Sequence, residues 1–312
     1  MFLAFAFLVL AAVVAVGIRE RVWDNPRRYL SVSALLVGML VLVVHARQAT
    51  IDADGSDAPV LLAISADVSL SMGTIPEPAT HGETGTRLER AQAVLLPLLA
   101  NLASAARPAM VAVSAFTARA ETILAWDDDL SLAEEIVEFV LTTGLLTEAG
   151  SDLGGALAGV VPLFESLPEA YRGEGHPKYL LLVSDGEQTA SGEPAEPALA
   201  KLAELGVRVI ALHVGRTDVE EGLPVYDESG EFLGFEEVSG QIFSTPNPEI
   251  MRSLAGGDGG AGLFVQVADR DAVGTIIDFI GLKTGEGRID GTRLAAILML
   301  WAGLLFLLLR RL

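Results

Sequence analysis

The amino-acid sequence predicts an α/β fold, an open, doubly wound and mainly parallel sheet of six strands with helices on both faces, with two membrane helices before it and one after. Three observations support that expectation. Short apolar runs alternate with amphipathic helical stretches through the middle of the chain, the pattern of strand–helix–strand units. Oxygen-bearing residues stand directly after two of these runs and at the start of one helix, where open α/β sheets form their ligand crevices. Long uncharged stretches occupy the two ends of the 312 residues.

"MFLAFAFLVLAAVVAVGI" opens the chain with eighteen uncharged residues, "YLSVSALLVGMLVLVVH" follows, and "LAAILMLWAGLLFLLL" lies near the C-terminus. A hydrocarbon core about 30 Å thick takes roughly 17 to 25 helical residues, so the first run suffices and the other two are slightly short. Flanking Arg28, Arg293, Arg310 and Arg311 lengthen them by snorkelling. The expected layout is membrane helix 1–18, cytoplasmic Arg-rich loop 19–28, membrane helix 29–45, linker 46–57, soluble domain 58–282, linker 283–292, membrane helix 293–309 and cytoplasmic tail 310–312. A cleaved signal peptide is the alternative for the first run, but no basic segment precedes it and the run is long. Arg19, Arg21, Arg27, Arg28, Arg310 and Arg311 outnumber Arg47, Lys283, Arg288 and Arg293 across the membrane. That bias puts the soluble domain on the periplasmic or extracellular side of the membrane.

The chain has 41 acidic and 21 basic residues, a net charge of −20. Nucleic acid is excluded as a partner, because phosphate contacts need clustered Lys and Arg. Most of the acidic residues serve a solvated surface; some are free to collect divalent cations or a basic partner. Without cysteine the chain has neither disulfides nor thiol chemistry.

Within the soluble domain, "VLLAIS" (60–65), "MVAVSAF" (110–116), "AETILAW" (120–126), "YLLLVS" (179–184), "VRVIALHV" (207–214) and "GLFVQV" (262–267) are short, bounded and rich in branched residues, as buried strands are. Between them, "RLERAQAVLLPLLANLASAA", "LSLAEEIVEFVLTT", "LGGALAGVVPLFESL", "EPALAKLAELG" and "NPEIMRSLAG" repeat apolar residues at helical spacing, with Pro97 expected to kink the first. "LPVYDESGEFLGF" (223–235) predicts an inserted hairpin turning at Asp227–Gly230. "GGDGGAG" (256–262) lacks the Lys-Ser/Thr ending of a phosphate loop and precedes a strand, so it is expected to be a turn.

Three loops remain. After the first strand comes Asp67-Val68-Ser69-Leu70-Ser71, after "YLLLVS" comes Asp185-Gly186-Glu187, and "EAGSDLGG" with Ser151 opens a helix between them. Each piece alone reads as an ordinary cap or turn. Together they supply two carboxylates to neutralise a divalent ion and three hydroxyls to fill a shell of hard oxygen ligands, with a position left over. Asp67, Ser69, Ser71, Ser151 and Asp185 are the candidate metal ligands.

"DVSLS", "GSDLGGAL" and "LLLVSDGE" resemble the three loops of the metal-ion-dependent adhesion site of von Willebrand factor type A (vWA) domains. The resemblance covers roughly 58–282 and implies Mg²⁺, or Mn²⁺ or Ca²⁺ in its place, and a partner protein that adds an acidic side chain. Ser151 stands where threonine is usual, and Leu70 where glycine is common, crowding the loop or pointing inward. The membrane layout, "RLERAQAVL" and "LPVYDESGEFLGF" ahead of "PEIMRSLAGG" look like the membrane-anchored Bat (aerotolerance) proteins. That resemblance implies other Bat-type vWA membrane proteins and a MoxR-type AAA+ ATPase as partners, in envelope stress or complex assembly. Accessory proteins of methanol dehydrogenase maturation share these features. The expected function is metal-dependent protein interaction without catalysis. A hydrolase needs a general base, and His45, His81, His176 and His213 have no evident carboxylate partner in sequence. A structural anchor with an inactive metal site is the other alternative.

Overall fold

A computed structural model describes residues 58–282 apart from 78–84, 174, 191, 239 and 257–260. The three expected membrane helices, the Arg-rich loop, both linkers and the tail lie outside the described residues, among which no helix is long and apolar enough to cross a membrane.

In chain order the elements are β1 (Val60–Asp67), β2 (Ile75–Pro76), α1 (Arg87–Ser104), β3 (Ala109–Phe116), β4 (Ala120–Asp127), α2 (Leu130–Glu135), α3 (Leu153–Glu165), α4 (Glu169–Arg172) and β5 (Lys178–Ser184). They continue with α5 (Ala195–Glu204), β6 (Val207–His213), β7 (Glu221–Tyr226), β8 (Phe232–Glu236), β9 (Phe243–Ser244), α6 (Pro248–Leu254), β10 (Leu263–Gln266) and α7 (Ala272–Ile280). The six expected strands form one sheet in the order β10-β6-β5-β1-β3-β4. All neighbours are parallel except β4, which runs antiparallel to β3.

β1 lies inside the sheet with all its residues buried, which explains its unbroken apolar run. Val60, Leu62, Ile64 and Ala66 pack with Leu95 and Leu99 of α1 and Ile276 of α7. Leu61 and Ala63 face the other way, toward Leu157 of α3, Leu202 of α5 and Met251 of α6. The strand runs two residues past the expected Ser65, so Asp67 is its last residue, in register with Phe116 of β3.

Thr86 caps α1 through a reciprocal capping box with Glu89, and the helix continues through Pro97. The helix expected over 130–143 is shorter. After α2 it widens into a π-helical turn, Ile136–Val140, where the Leu141 N–H donates to Ile136 O at 2.9 Å. Gln92 of α1 donates to Val137 O and Leu141 O at 2.7 and 3.0 Å, satisfying carbonyls that another helical turn would have used.

The expected hairpin is formed by β7 and β8. Its turn closes because the Asp227 carboxylate accepts from the N–H groups of Ser229 and Glu231, while Gly230 takes φ +83°. β7 pairs in addition with β2 and β9, giving a small second sheet beside the first metal-loop candidate.

At the other end of the domain the Tyr179 hydroxyl donates to Ile280 O at 3.2 Å, and Arg208 stacks over the rings of Tyr179 and Phe279 at 4.6 and 4.8 Å. Tyr179→Phe is therefore expected to lower stability by about 1–2 kcal/mol in chemical denaturation, the cost of a lost buried hydrogen bond. Amide exchange should accelerate at the end of α7, and an unchanged unfolding midpoint would show that the hydroxyl contributes nothing.

Candidate metal centre

The parallel pairing of β1 with β5 sets Ala66 opposite Val183, so the residues that follow emerge side by side on the carboxyl rim of the sheet. Asp67, Ser184 and Asp185 have no solvent exposure there. Asp67 Oδ1 accepts the Ser69 N–H at 2.9 Å, and Oδ2 accepts the hydroxyls of Ser151 and Ser184 at 3.0 and 2.7 Å. The Ser69 and Ser71 hydroxyl oxygens lie 3.1 Å apart. Asp185 Oδ1 accepts the Glu187 N–H at 2.9 Å, and Oδ2 accepts from Arg87 Nη1 at 2.6 Å. All five sequence-predicted residues thus meet on one rim, four of them joined directly by hydrogen bonds and Asp185 brought beside Asp67 through Ser184.

Local structure explains the placement. A tight 3₁₀ turn, Leu70–Gly73, buries Met72 and leaves Ser69 and Ser71 on one side. Leu70 neither crowds the loop nor points inward: it is 53% exposed. Ser151 is held by the third loop, donating its N–H to Thr189 Oγ1 at 2.9 Å and accepting the N–H groups of Thr189 and Ala190 on its carbonyl. Asp152 caps α3 through Gly154 and accepts the Glu193 N–H at 3.2 Å. Gly192 is required beside it, since a Cβ there would sit 1.9 Å from the Asp152 carboxylate.

Sequence reasoning missed several participants. Ser184 was within the quoted "LLLVSDGE", yet it was assigned to the strand and not to the site. Arg87 was visible only as the first residue of an amphipathic helix. Glu221 and Ser244 gave no local signal, because they reach the rim from the inserted small sheet. Thr117, one residue past β3 on the same rim, is buried and its hydroxyl has no partner among the described residues.

The electrostatics show what the rim lacks. Burial, then the neighbouring Asp185 charge, push the Asp67 carboxyl up to about 6, against the opposing donors Ser69 and Ser184. Two abutting carboxylates with hydroxyl oxygens around them form an all-oxygen donor set suited to a hard dication. Among the described residues no three His, Cys, Asp or Glu side chains are placed to hold a metal ion together, so any ion here would depend on hydroxyl oxygens as well as carboxylates. His213, at the end of β6, is buried, and burial above all lowers its pKa to about 4.

Residues 63–237 match the family profile of the von Willebrand factor type A domain. The chain belongs to that family. Two solved structures share the vWA fold. A conserved hypothetical protein BatB from Bacteroides thetaiotaomicron is 24% identical with a TM-score of 0.56, covering 71% of this chain and 97% of that one. An aerotolerance-related membrane protein from Bacteroides fragilis is 23% identical with a TM-score of 0.55, covering 71% and 98%. No curated protein matches the chain.

Two shifted groups of this vWA domain, Asp67 and His213, oppose one another in pH dependence between about 4 and 6.5. Asp67 has a folded pKa of about 6 against 3.8 unfolded, so the folded state holds more protons and stability falls as pH rises between these values. His213, at about 4 folded against 6.5 unfolded, holds fewer, so stability rises with pH over nearly the same window. Each contribution is on the order of 3 kcal/mol. Asp67→Asn is expected to unmask the His213 slope, with the metal-free melting temperature climbing more steeply than wild type between pH 4 and 6.5. Parallel melting profiles in scanning calorimetry would refute this.

Proposed function

We propose that the chain is a membrane-anchored vWA module that binds a divalent cation, Mg²⁺ first, with Mn²⁺ or Ca²⁺ as alternatives, and uses it to engage an acidic side chain of a partner protein. The observation behind this reading is the pair of wholly buried carboxylates, Asp67 and Asp185, abutting on a rim lined by the hydroxyls of Ser69, Ser71 and Ser151. A bound dication would complete the charge compensation that Arg87 begins at Asp185 and would offer a coordination position open to a partner's carboxylate. The protein's own part is to hold the oxygens in place. Ser69 and Ser184 fix Asp67, Glu187 and Arg87 fix Asp185, and Thr189 fixes the backbone of Ser151.

Ser151 keeps the hydroxyl that the second loop needs in place of the usual threonine. Interaction is favoured over hydrolysis because the histidine nearest the rim is poorly suited to act as a base: His213 is buried, with its pKa lowered to about 4. The membrane anchoring and a Bat-type setting, with other Bat-type vWA proteins and a MoxR-type ATPase as partners at a bacterial inner membrane, rest on the terminal apolar runs and the quoted motifs.

Titrating the purified chain with Mg²⁺ and Mn²⁺ is expected to raise its apparent stability, by about 2.7 kcal/mol at a hundredfold excess over the dissociation constant. Asp67→Ala should abolish that response; an Asp67→Ala protein that answers the ions as wild type does would sink the proposal. Leu70→Gly, which removes a solvent-facing side chain, should leave ion affinity within about twofold by calorimetry, since surface changes away from bonded groups are nearly neutral. A larger loss would mean that the Leu70 side chain shapes the loop.

A further inference from the structure

The small sheet reaches into the metal centre through one side chain. Arg87, the first residue of α1, is wholly buried, and its guanidinium joins three parts of the chain. Nη1 donates to Asp185 Oδ2 of the third metal loop at 2.6 Å, to Ser244 Oγ of β9 at 2.6 Å and to Ser71 O of the first loop at 3.5 Å. Nε donates to Glu221 Oε2, the first residue of β7, at 2.5 Å. Glu221 has no exposure and also receives Arg90 Nη2 at 2.5 Å. A second route runs beside the first: Ser244 donates its hydroxyl to Glu187 Oε2 at 2.6 Å, and the Thr245 N–H donates to Glu187 Oε1 at 3.3 Å. Glu187 in turn gives its N–H to Asp185.

From this geometry we infer that Arg87 is a positioning residue for Asp185, and that the inserted small sheet sets the affinity of the metal centre through Glu221 and Ser244. The inference rests on the metal-binding reading above. A guanidinium is a planar fork whose donors point in fixed directions. With Nε fixed on Glu221 and Nη1 shared between Ser244 and Asp185, the carboxylate of Asp185 has one orientation available. Losing a group that orients a ligating side chain typically costs about 10- to 100-fold in metal affinity. Charge acts in the same direction. Asp185 and Glu221 pair with Arg87 and Arg90, while the carboxylates of Asp67 and Glu187 stand beside them, so four negative groups meet two positive and the cluster keeps a net negative charge to offer a dication. Glu221 adds one of those charges from outside the three metal loops.

The test is Mn²⁺ titration of the full chain by calorimetry, with metal-free melting as the control for folding. Wild type first establishes binding, and its failure to bind would overturn the metal reading itself. Given binding, Ser244→Ala, which changes no charge and lies at a half-buried position, is expected to weaken Mn²⁺ about tenfold with an unchanged metal-free melting temperature. Ser244→Thr, which keeps the hydroxyl, should restore it. Arg87→Lys keeps the charge and loses the fork, so it should weaken binding by a similar factor. Glu221→Gln leaves Arg87 and Arg90 short of negative charge in the interior and is the variant most exposed to unfolding. The serine pair decides without it. Mn²⁺ affinity within about twofold of wild type in both Ser244→Ala and Arg87→Lys would overturn the inference while leaving the metal reading intact. So would a loss confined to Glu221→Gln, which would reduce the role of the small sheet to charge alone.

Discussion

The rim is organised around one constraint, the crowding of two like charges out of reach of water. Asp67 and Asp185 end up adjacent because β1 and β5 are parallel neighbours that stop at the same level, and neither carboxylate has solvent to screen it. Such an arrangement persists only where donors surround it. The hydroxyls of Ser151 and Ser184, the N–H groups of Ser69 and Glu187 and the guanidinium of Arg87 are those donors. Three of them approach Asp67, yet its proton is still held to about 6, which shows how far the donors fall short of full compensation. A centre fully neutralised by its own side chains would have little use for an ion.

The fold was legible in the sequence because a sheet buried on both faces must be written in unbroken apolar strands. The inner strands β1, β3 and β5 appeared as such runs, whereas β4, whose residues are only half-buried or exposed, carries Glu121 and Thr122 and is the antiparallel edge. Helix ends were less legible. The stretch after α2 keeps helical spacing to Thr143, but Gln92 claims the carbonyls at its end from a neighbouring helix. No local pattern announces a side chain arriving from 45 or 49 residues away.

The same division runs through the candidate metal centre. Asp67, Ser69, Ser71, Ser151 and Asp185 were visible because each follows a strand or opens a helix, and topology then does the rest. Arg87, Glu221 and Ser244 were not, because their roles depend on where an insertion folds back. Leu70 was ambiguous in sequence for a simpler reason: which way one residue of a 3₁₀ turn faces depends on its neighbours, and burial of Met72 turns Leu70 outward. The family profile stops at residue 237, yet β10 and α7 lie beyond it and complete the sheet and the core under β1.

Sequence separation gives the centre a further meaning. Ser184 bonds Asp67 across 117 positions, Arg87 bonds Asp185 across 98, and Glu221 meets Arg87 across 134. Contacts of that span form after the loops between them have closed, and parallel strands close slowly because each pairing waits on a crossover. The oxygens therefore come together only once β1, β5 and the loop before α3 are in place, and Arg87 meets Glu221 only once the insertion has docked, so a half-folded chain has no such cluster to offer. On the proposed reading, a partner that engages the rim through an ion would in effect be inspecting the domain for completed folding, and would pass over copies in which these segments had failed to dock.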